Sequence, residues 1–110
     1  KGVYGADLVL LEANYDPSML RNGPYPEMLQ ERIRGKYGHL SNGDSAGIAE
    51  ALIAHGTTRL ILGHLSENNN TMPLAQQTVL EHLQEQGMRR NQDFLLQVSS
   101  PEGLKQAVIF

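Results

Sequence analysis

Three residues stand where chemistry gathers if the elements around them are what the sequence implies. Glu12 closes an aliphatic run at 8–11, and His64 closes a second one in Arg59-Leu60-Ile61-Leu62-Gly63. His39 lies in the loop Gly38-His39-Leu40-Ser41-Asn42, just ahead of a helical pattern. A carboxylate beside a histidine orients the ring and favours its protonated form. A histidine held that way can act as a general acid. A second histidine at a strand end, followed by the polar stretch 65–70, has the shape of a metal ligand. Taken one at a time, either histidine also reads as an ordinary polar residue. His55, in the last turn of a helix where a cation suits the dipole, and His82, mid-helix near a polar face, read as structural. No HExxH, P-loop, GxGxxG or Gly-x-Ser-x-Gly pattern occurs, and Asp7, Asp16 and Asp44 lack EF-hand spacing.

These positions have meaning only through the elements that hold them. The unbroken run at 8–11 suggests a strand covered on both faces. Glu12-Ala13-Asn14-Tyr15-Asp16-Pro17 ends it, which sets Glu12, Asn14 and Asp16 at its C-terminal edge, where ligands gather in open α/β folds. Asn22-Gly23-Pro24 is a turn signal, and Tyr25, Met28, Leu29 and Ile33 predict a short amphipathic helix over 25–34. Ser41 and Asp44 approximate a capping box for a helix over 42–55, with Ile48, Ala49, Leu52 and Ile53 on one side and Gly56 past its end. Residues 59–63 read as a second buried strand. A third helix opens at Thr71 and Pro73, carries Met72, Ala75, Val79 and Leu83 on a face, and closes at Gly87. Strands are expected at 93–98 and 106–110. The order β-α-α-β-α-β-β predicts an α/β layered fold with a mostly parallel or mixed sheet. If the first two strands are parallel neighbours, Glu12, His39 and His64 converge on one edge.

Composition narrows the functions. The chain has 110 residues, enough for a single domain spanning 1–110. Cysteine is absent, which excludes disulfides and thiolate metal sites. A net charge of −3 argues against a generally basic nucleic-acid binder, and the absence of Trp argues against a base-stacking platform. Locally the balance reverses: Arg21, Arg32, Arg34 and Lys36 stand against Glu27 and Glu31. That segment is either a solvated helix face or a contact for a phosphate backbone. No apolar run approaches the ~20 residues of a membrane span, and no signal peptide is visible, so no membrane partner and a cytoplasmic location are expected. The chain starts at Lys1 and enters its first strand almost at once, which reads as a piece of something longer.

Four segments in order carry a resemblance. They are Glu12-Ala13-Asn14-Tyr15-Asp16, Met19-Leu20-Arg21-Asn22-Gly23-Pro24-Tyr25-Pro26, Gly38-His39-Leu40-Ser41-Asn42 and Gly63-His64-Leu65-Ser66-Glu67-Asn68-Asn69. Together they resemble the C-terminal half of the metallo-β-lactamase superfamily, most of all its WalJ-like (YycJ-like) members and more distantly RNase Z. The likeness spans about residues 5 to 100. It implies half of an αβ/βα sandwich with a two-metal site, zinc or manganese, between two sheets. It implies hydrolysis by a metal-activated hydroxide, directed in the nuclease branches at a phosphodiester. On this resemblance His64 matches the last metal-ligand histidine. His39 matches a histidine that steadies the scissile phosphate and protonates the leaving oxygen, and Glu12 matches the acid that pairs with it. Arg21, Arg34, Lys36, Ser41 and Asn42 become substrate-binding candidates. Position 15, commonly a histidine in close relatives, is Tyr15 here.

The superfamily's His-x-His-x-Asp-His motif, its next histidine and its bridging aspartate are absent, and histidines at 39, 55, 64 and 82 cannot replace them. The expectation is therefore the C-terminal part of a metal-dependent phosphodiesterase or nuclease acting on DNA or RNA. The isolated segment is expected to be inactive, to hold no metal and to self-associate through an uncovered sheet face. Two alternatives stay open: a superfamily hydrolase of a small ester, amide or thioester, and a non-catalytic α/β interaction domain.

Overall fold

In the computed structural model, which describes residues 7–35 and 38–99, the aliphatic runs form strands that lie side by side. The elements are β1 (Leu8–Glu12), α1 (Pro17–Asn22), α2 (Glu27–Arg34), α3 (Asn42–Ala54), β2 (Arg59–Gly63), α4 (Met72–Glu85) and β3 (Leu95–Val98). The sheet order is β1-β2-β3 and both pairings are parallel. Leu8 pairs with Arg59 and Glu12 with Gly63, while Arg59 pairs with Leu95. All described strands thus end on the same edge. The strand expected at 106–110 lies outside the described residues.

Alternation along the strands sends side chains to opposite faces. Val9, Leu11, Leu60, Leu62 and Leu96 turn to one face and join Ala46, Ala49 and Leu52 of α3 with Ala75, Val79 and Leu83 of α4 in one core. Alanines on α3 let that helix lie close to its neighbours. The opposite face is only half covered among the described residues: Leu8, Leu10 and Ile61 are partly buried, and Leu95 is 48% exposed. The expectation of strands covered on both faces therefore holds on one side only.

The caps are local. Ser41 and Asp44 form the anticipated box, each side chain accepting the other's backbone N–H. Gly56 and Gly87, past the ends of α3 and α4, take φ values of +108° and +81°, where a side chain would be strained. The apolar pattern does not predict α1. Asp16 caps it by accepting from the Met19 N–H at 3.0 Å, and Pro17 opens its first turn, so the Asp-Pro pair starts a helix as well as ending a strand. The apolar faces are also narrower than the pattern implied. Ile48 and Met72 are exposed, and on α2 Met28 and Leu29 are exposed while Gln30 is buried, its amide donating to the Tyr25 carbonyl. No described helix is long and apolar enough to cross a membrane.

Candidate active site

The parallel register brings the chemical residues together. Glu12 is the last residue of β1 and pairs with Gly63, so His64 emerges beside it. One Glu12 oxygen, Oε2, accepts from the His39 ring at Nδ1 (2.9 Å) and from the Leu40 N–H (3.0 Å). The other, Oε1, lies 3.6 Å from His64 Nδ1. Glu12 is 25% exposed and both imidazoles are 51% exposed, so the carboxylate is sheltered while the rings reach outward. With Nδ1 turned to Glu12, each ring keeps Nε2 for another partner. A carboxylate that holds an imidazole fixes its tautomer and its direction. His39 so held, in its imidazolium form, can deliver the proton on Nε2 while Nδ1–H stays on Glu12.

The backbone around this trio is tied at every step. His39 donates its N–H to the Ile33 carbonyl, so the end of α2 sets the His39 loop. Asn14 donates its N–H to the Leu40 carbonyl and its amide to the His64 carbonyl at 2.7 Å, and accepts from the Ser66 N–H. His64 has φ +55°, a left-handed conformation that is uncommon for a residue with a Cβ. Such strain persists only where the surroundings over-determine it, and it concentrates at functional sites. The Ser45 hydroxyl donates to the Glu12 carbonyl.

Beneath lies a buried amide pair. Asn42 and Asn70 donate to each other at 2.9 Å in both directions, and Asn70 also donates to the Ala13 carbonyl. The Thr71 N–H donates to the Asn70 amide oxygen. The starts of α3 and α4 are thereby fastened to the end of β1. Tyr15 is buried, and its carbonyl accepts from the Asn42 N–H. Burial, with Asp44 adding to it and Arg34 opposing, raises the Tyr15 phenol above its usual 10.0 and keeps it protonated.

Of the expected site residues, Glu12, His39 and His64 are assembled. Ser41 and Asn42 are not open to a substrate: Ser41 is buried in the capping box and Asn42 is fully buried against Asn70. Their hydrogen bonds fix the start of α3, directly after the His39 loop. Arg21 is exposed on α1, and Arg34 is exposed with Nη2 3.4 Å from Glu27 Oε2. Lys36 lies outside the described residues. Asn14 stands at the strand edge as expected, while nothing local in the sequence marks Ser45 and Asn70, because their roles depend on partners far away in the chain. His82 pairs with Glu50 at 2.7 Å between α4 and α3, and His55 Nδ1 meets the Ala51 carbonyl.

Among the described residues no group of three or more His, Asp or Glu is arranged to hold a metal ion. His64 by itself suits the part of one ligand, since its Nδ1 is near a carboxylate and its Nε2 makes no hydrogen bond among the described residues. A hollow of about 170 Å³ lined by Leu10, Glu12, Gly63 and His64 opens on the half-covered face of the sheet.

Comparison with known proteins agrees with the four motifs. The chain is 38% identical over 100 residues to a protein named exodeoxyribonuclease WalJ from Streptococcus pneumoniae, covering 91% of this chain and 37% of that one. It is 36% identical over 103 residues to exodeoxyribonuclease YycJ of Bacillus anthracis, covering 93% and 39%. The chain thus spans well under half the length of these relatives. No family model matches it, and no solved structure matches it. Its likeness to the WalJ-like proteins holds along nearly the whole chain.

Proposed function

We propose that this homologue of the WalJ and YycJ exodeoxyribonucleases is the C-terminal part of a metallo-β-lactamase-fold nuclease that cleaves phosphodiester bonds in nucleic acid. The observation that carries the reading is the Glu12 carboxylate shared between His39 at 2.9 Å and His64 at 3.6 Å on the common edge of β1 and β2. The names of the relatives supply the substrate class. The parallel α/β layer with one half-covered sheet face is what one side of such a sandwich would leave.

His64 would hold one of two divalent ions, zinc or manganese, the remaining ligands coming from outside this segment. When bound, such ions supply an activated water and neutralise phosphoryl charge. The chain's own residues do the rest. Glu12 keeps the His39 ring in one tautomer with Nε2 outward. As an imidazolium His39 carries two N–H groups, Nδ1–H on Glu12 and Nε2–H outward. It gives the Nε2 proton to the oxygen leaving from the scissile phosphate, which would otherwise depart as an unstable alkoxide, and is left as the neutral ring with Nδ1–H still on Glu12. Asn14 and the Asn42–Asn70 pair keep the three loops in register. Arg21, Arg34 and Lys36 meet backbone phosphates without reading sequence.

The test is made on the full-length protein. His39→Ala should slow DNA cleavage about 10²–10⁴-fold with metal content unchanged, the usual loss of one general acid. His64→Ala should lower metal content. Metal loss in His39→Ala would make His39 a ligand and remove its proton-donor role. Turnover confined to small esters, amides or thioesters would replace the nuclease reading with the broader hydrolase one. Absence of His-x-His-x-Asp-His upstream would favour a non-catalytic domain.

A further inference from the structure

A second cavity, about 420 Å³, opens directly beside His39. Its volume falls in the usual range of small-molecule sites, about 300–1,000 Å³. Leu29, Ile33 and Tyr25 supply apolar and aromatic wall from α2 and the turn before it, and Asn69 and Ser66 supply polar groups from the loop after β2. Arg32 stands at the same cavity.

Two features of this lining are unexplained by folding alone. Asn69 is 1% exposed and its side-chain amide makes no hydrogen bond among the described residues; its oxygen is turned toward Gly23, so a half-turn of the amide is what offers it to the cavity. A buried polar atom left unpaired is costly and is uncommon in native structures. An amide offers one acceptor beside one donor, and rotation about its last torsion exchanges them. The complementary edge is that of a nucleobase. Arg32 is exposed and has no ion pair among the described residues, whereas Arg34 two positions on is drawn to Glu27. A free guanidinium at a cavity rim suits a phosphate.

We propose that this cavity seats the terminal nucleoside of the strand being cut. Its base would enter between Tyr25, Leu29 and Ile33 with an edge on Asn69, and its phosphate would lie toward Arg32. The inference rests on the nuclease reading, since a phosphate at His39 puts the adjoining nucleoside within the cavity. It also accounts for trimming from an end. One pocket holds one base, and a chain without Trp has no platform for a stacked run.

The experiment titrates the full-length protein with dAMP, dTMP and base-free 2-deoxyribose 5-phosphate, read by ¹⁵N NMR. The nucleotides should bind about tenfold or more tightly than the sugar phosphate, the scale of one base contact, and should shift the Asn69 side-chain amide. Leu29→Trp, at a partly exposed position that tolerates a larger side chain, fills the cavity. It should abolish the nucleotide's advantage and leave sugar-phosphate binding unchanged. Arg32→Ala should weaken both ligands by the same factor. Equal affinity for nucleotide and sugar phosphate in the unaltered protein overturns the pocket, as does an advantage that survives Leu29→Trp. DNA cleavage is read separately. Cleavage with no base-dependent binding removes the pocket and leaves the nuclease reading intact. Base-dependent binding with no cleavage removes the nuclease reading and, with it, the assignment to a strand being cut, leaving a site for a free nucleotide.

Discussion

The two faces of the sheet follow different rules. On one, Val9, Leu11, Leu60, Leu62 and Leu96 meet α3 and α4 in one apolar core. On the other, Leu8, Leu10 and Ile61 are half covered, Leu95 is 48% exposed, and Glu12 and His64 border an open hollow. The first face explains why this segment folds as it does. The second, with the strand ends, carries the candidate site. Stability and chemistry are separated by the alternation of a single strand: Leu11 serves one, Glu12 the other.

The contrast is broken most severely from the packed side. Leu62 is fully buried in the middle strand, and Leu62→Ala should lower stability by about 2–5 kcal/mol, the cost of a core cavity. Leu95→Ala on the half-covered face should change it by less than about 0.5 kcal/mol in the isolated segment. Urea unfolding of the two variants measures both. Equal losses would mean that the second face is packed in solution, through association of copies or otherwise.

A smaller effect separates the amide pair from the core beneath it. Asn70→Leu leaves Asn42 and the Ala13 carbonyl without their partner and should cost about 1–3 kcal/mol. Adding Asn42→Leu should recover part of that loss, because removing both partners costs less than stranding one. Nuclease activity should not recover, since the loops bearing His39 and His64 stay unfastened. Recovery of activity along with stability would show that the pair serves folding only.

Much of this arrangement is legible along the chain. The aliphatic runs, the Ser41–Asp44 box and the polar residues at strand ends are local signals, and once β1 and β2 are parallel neighbours the convergence of Glu12, His39 and His64 follows. The strand expected from 93 begins at Leu95, because Asp93 is taken up in hydrogen bonds with Arg89. What resists reading is pairing at a distance. Asn42 and Asn70 look like loop residues, and nothing within a few positions of either tells that each is the other's partner 28 residues away. Met28 and Ile48 keep helical spacing yet are exposed, because periodicity marks a face without saying whether anything covers it. Arg32 and Arg34 look alike in the sequence. Only the fold sends one to a cavity and the other toward Glu27.

The smallest effect is the most direct test of the chemical side. At φ +55° His64 carries a backbone cost that glycine would not, about 1–2 kcal/mol by the sterics of the left-handed region. Glycine gives back part of that gain through the greater freedom of its unfolded chain, about 0.5–1 kcal/mol. His64→Gly should therefore be slightly more stable than the unaltered protein, by up to about 1 kcal/mol. His64→Ala loses the same ring and keeps the strained backbone, so it should be less stable than His64→Gly. The lost approach to Glu12 adds little in either variant, because the His64 ring is half exposed and solvent screens the pair. Both variants should lose metal and cleavage alike in the full-length protein. Equal unfolding midpoints for the two would show that the position is unstrained. A glycine variant more stable but inactive would show that stability is given up at this strand end to aim one imidazole.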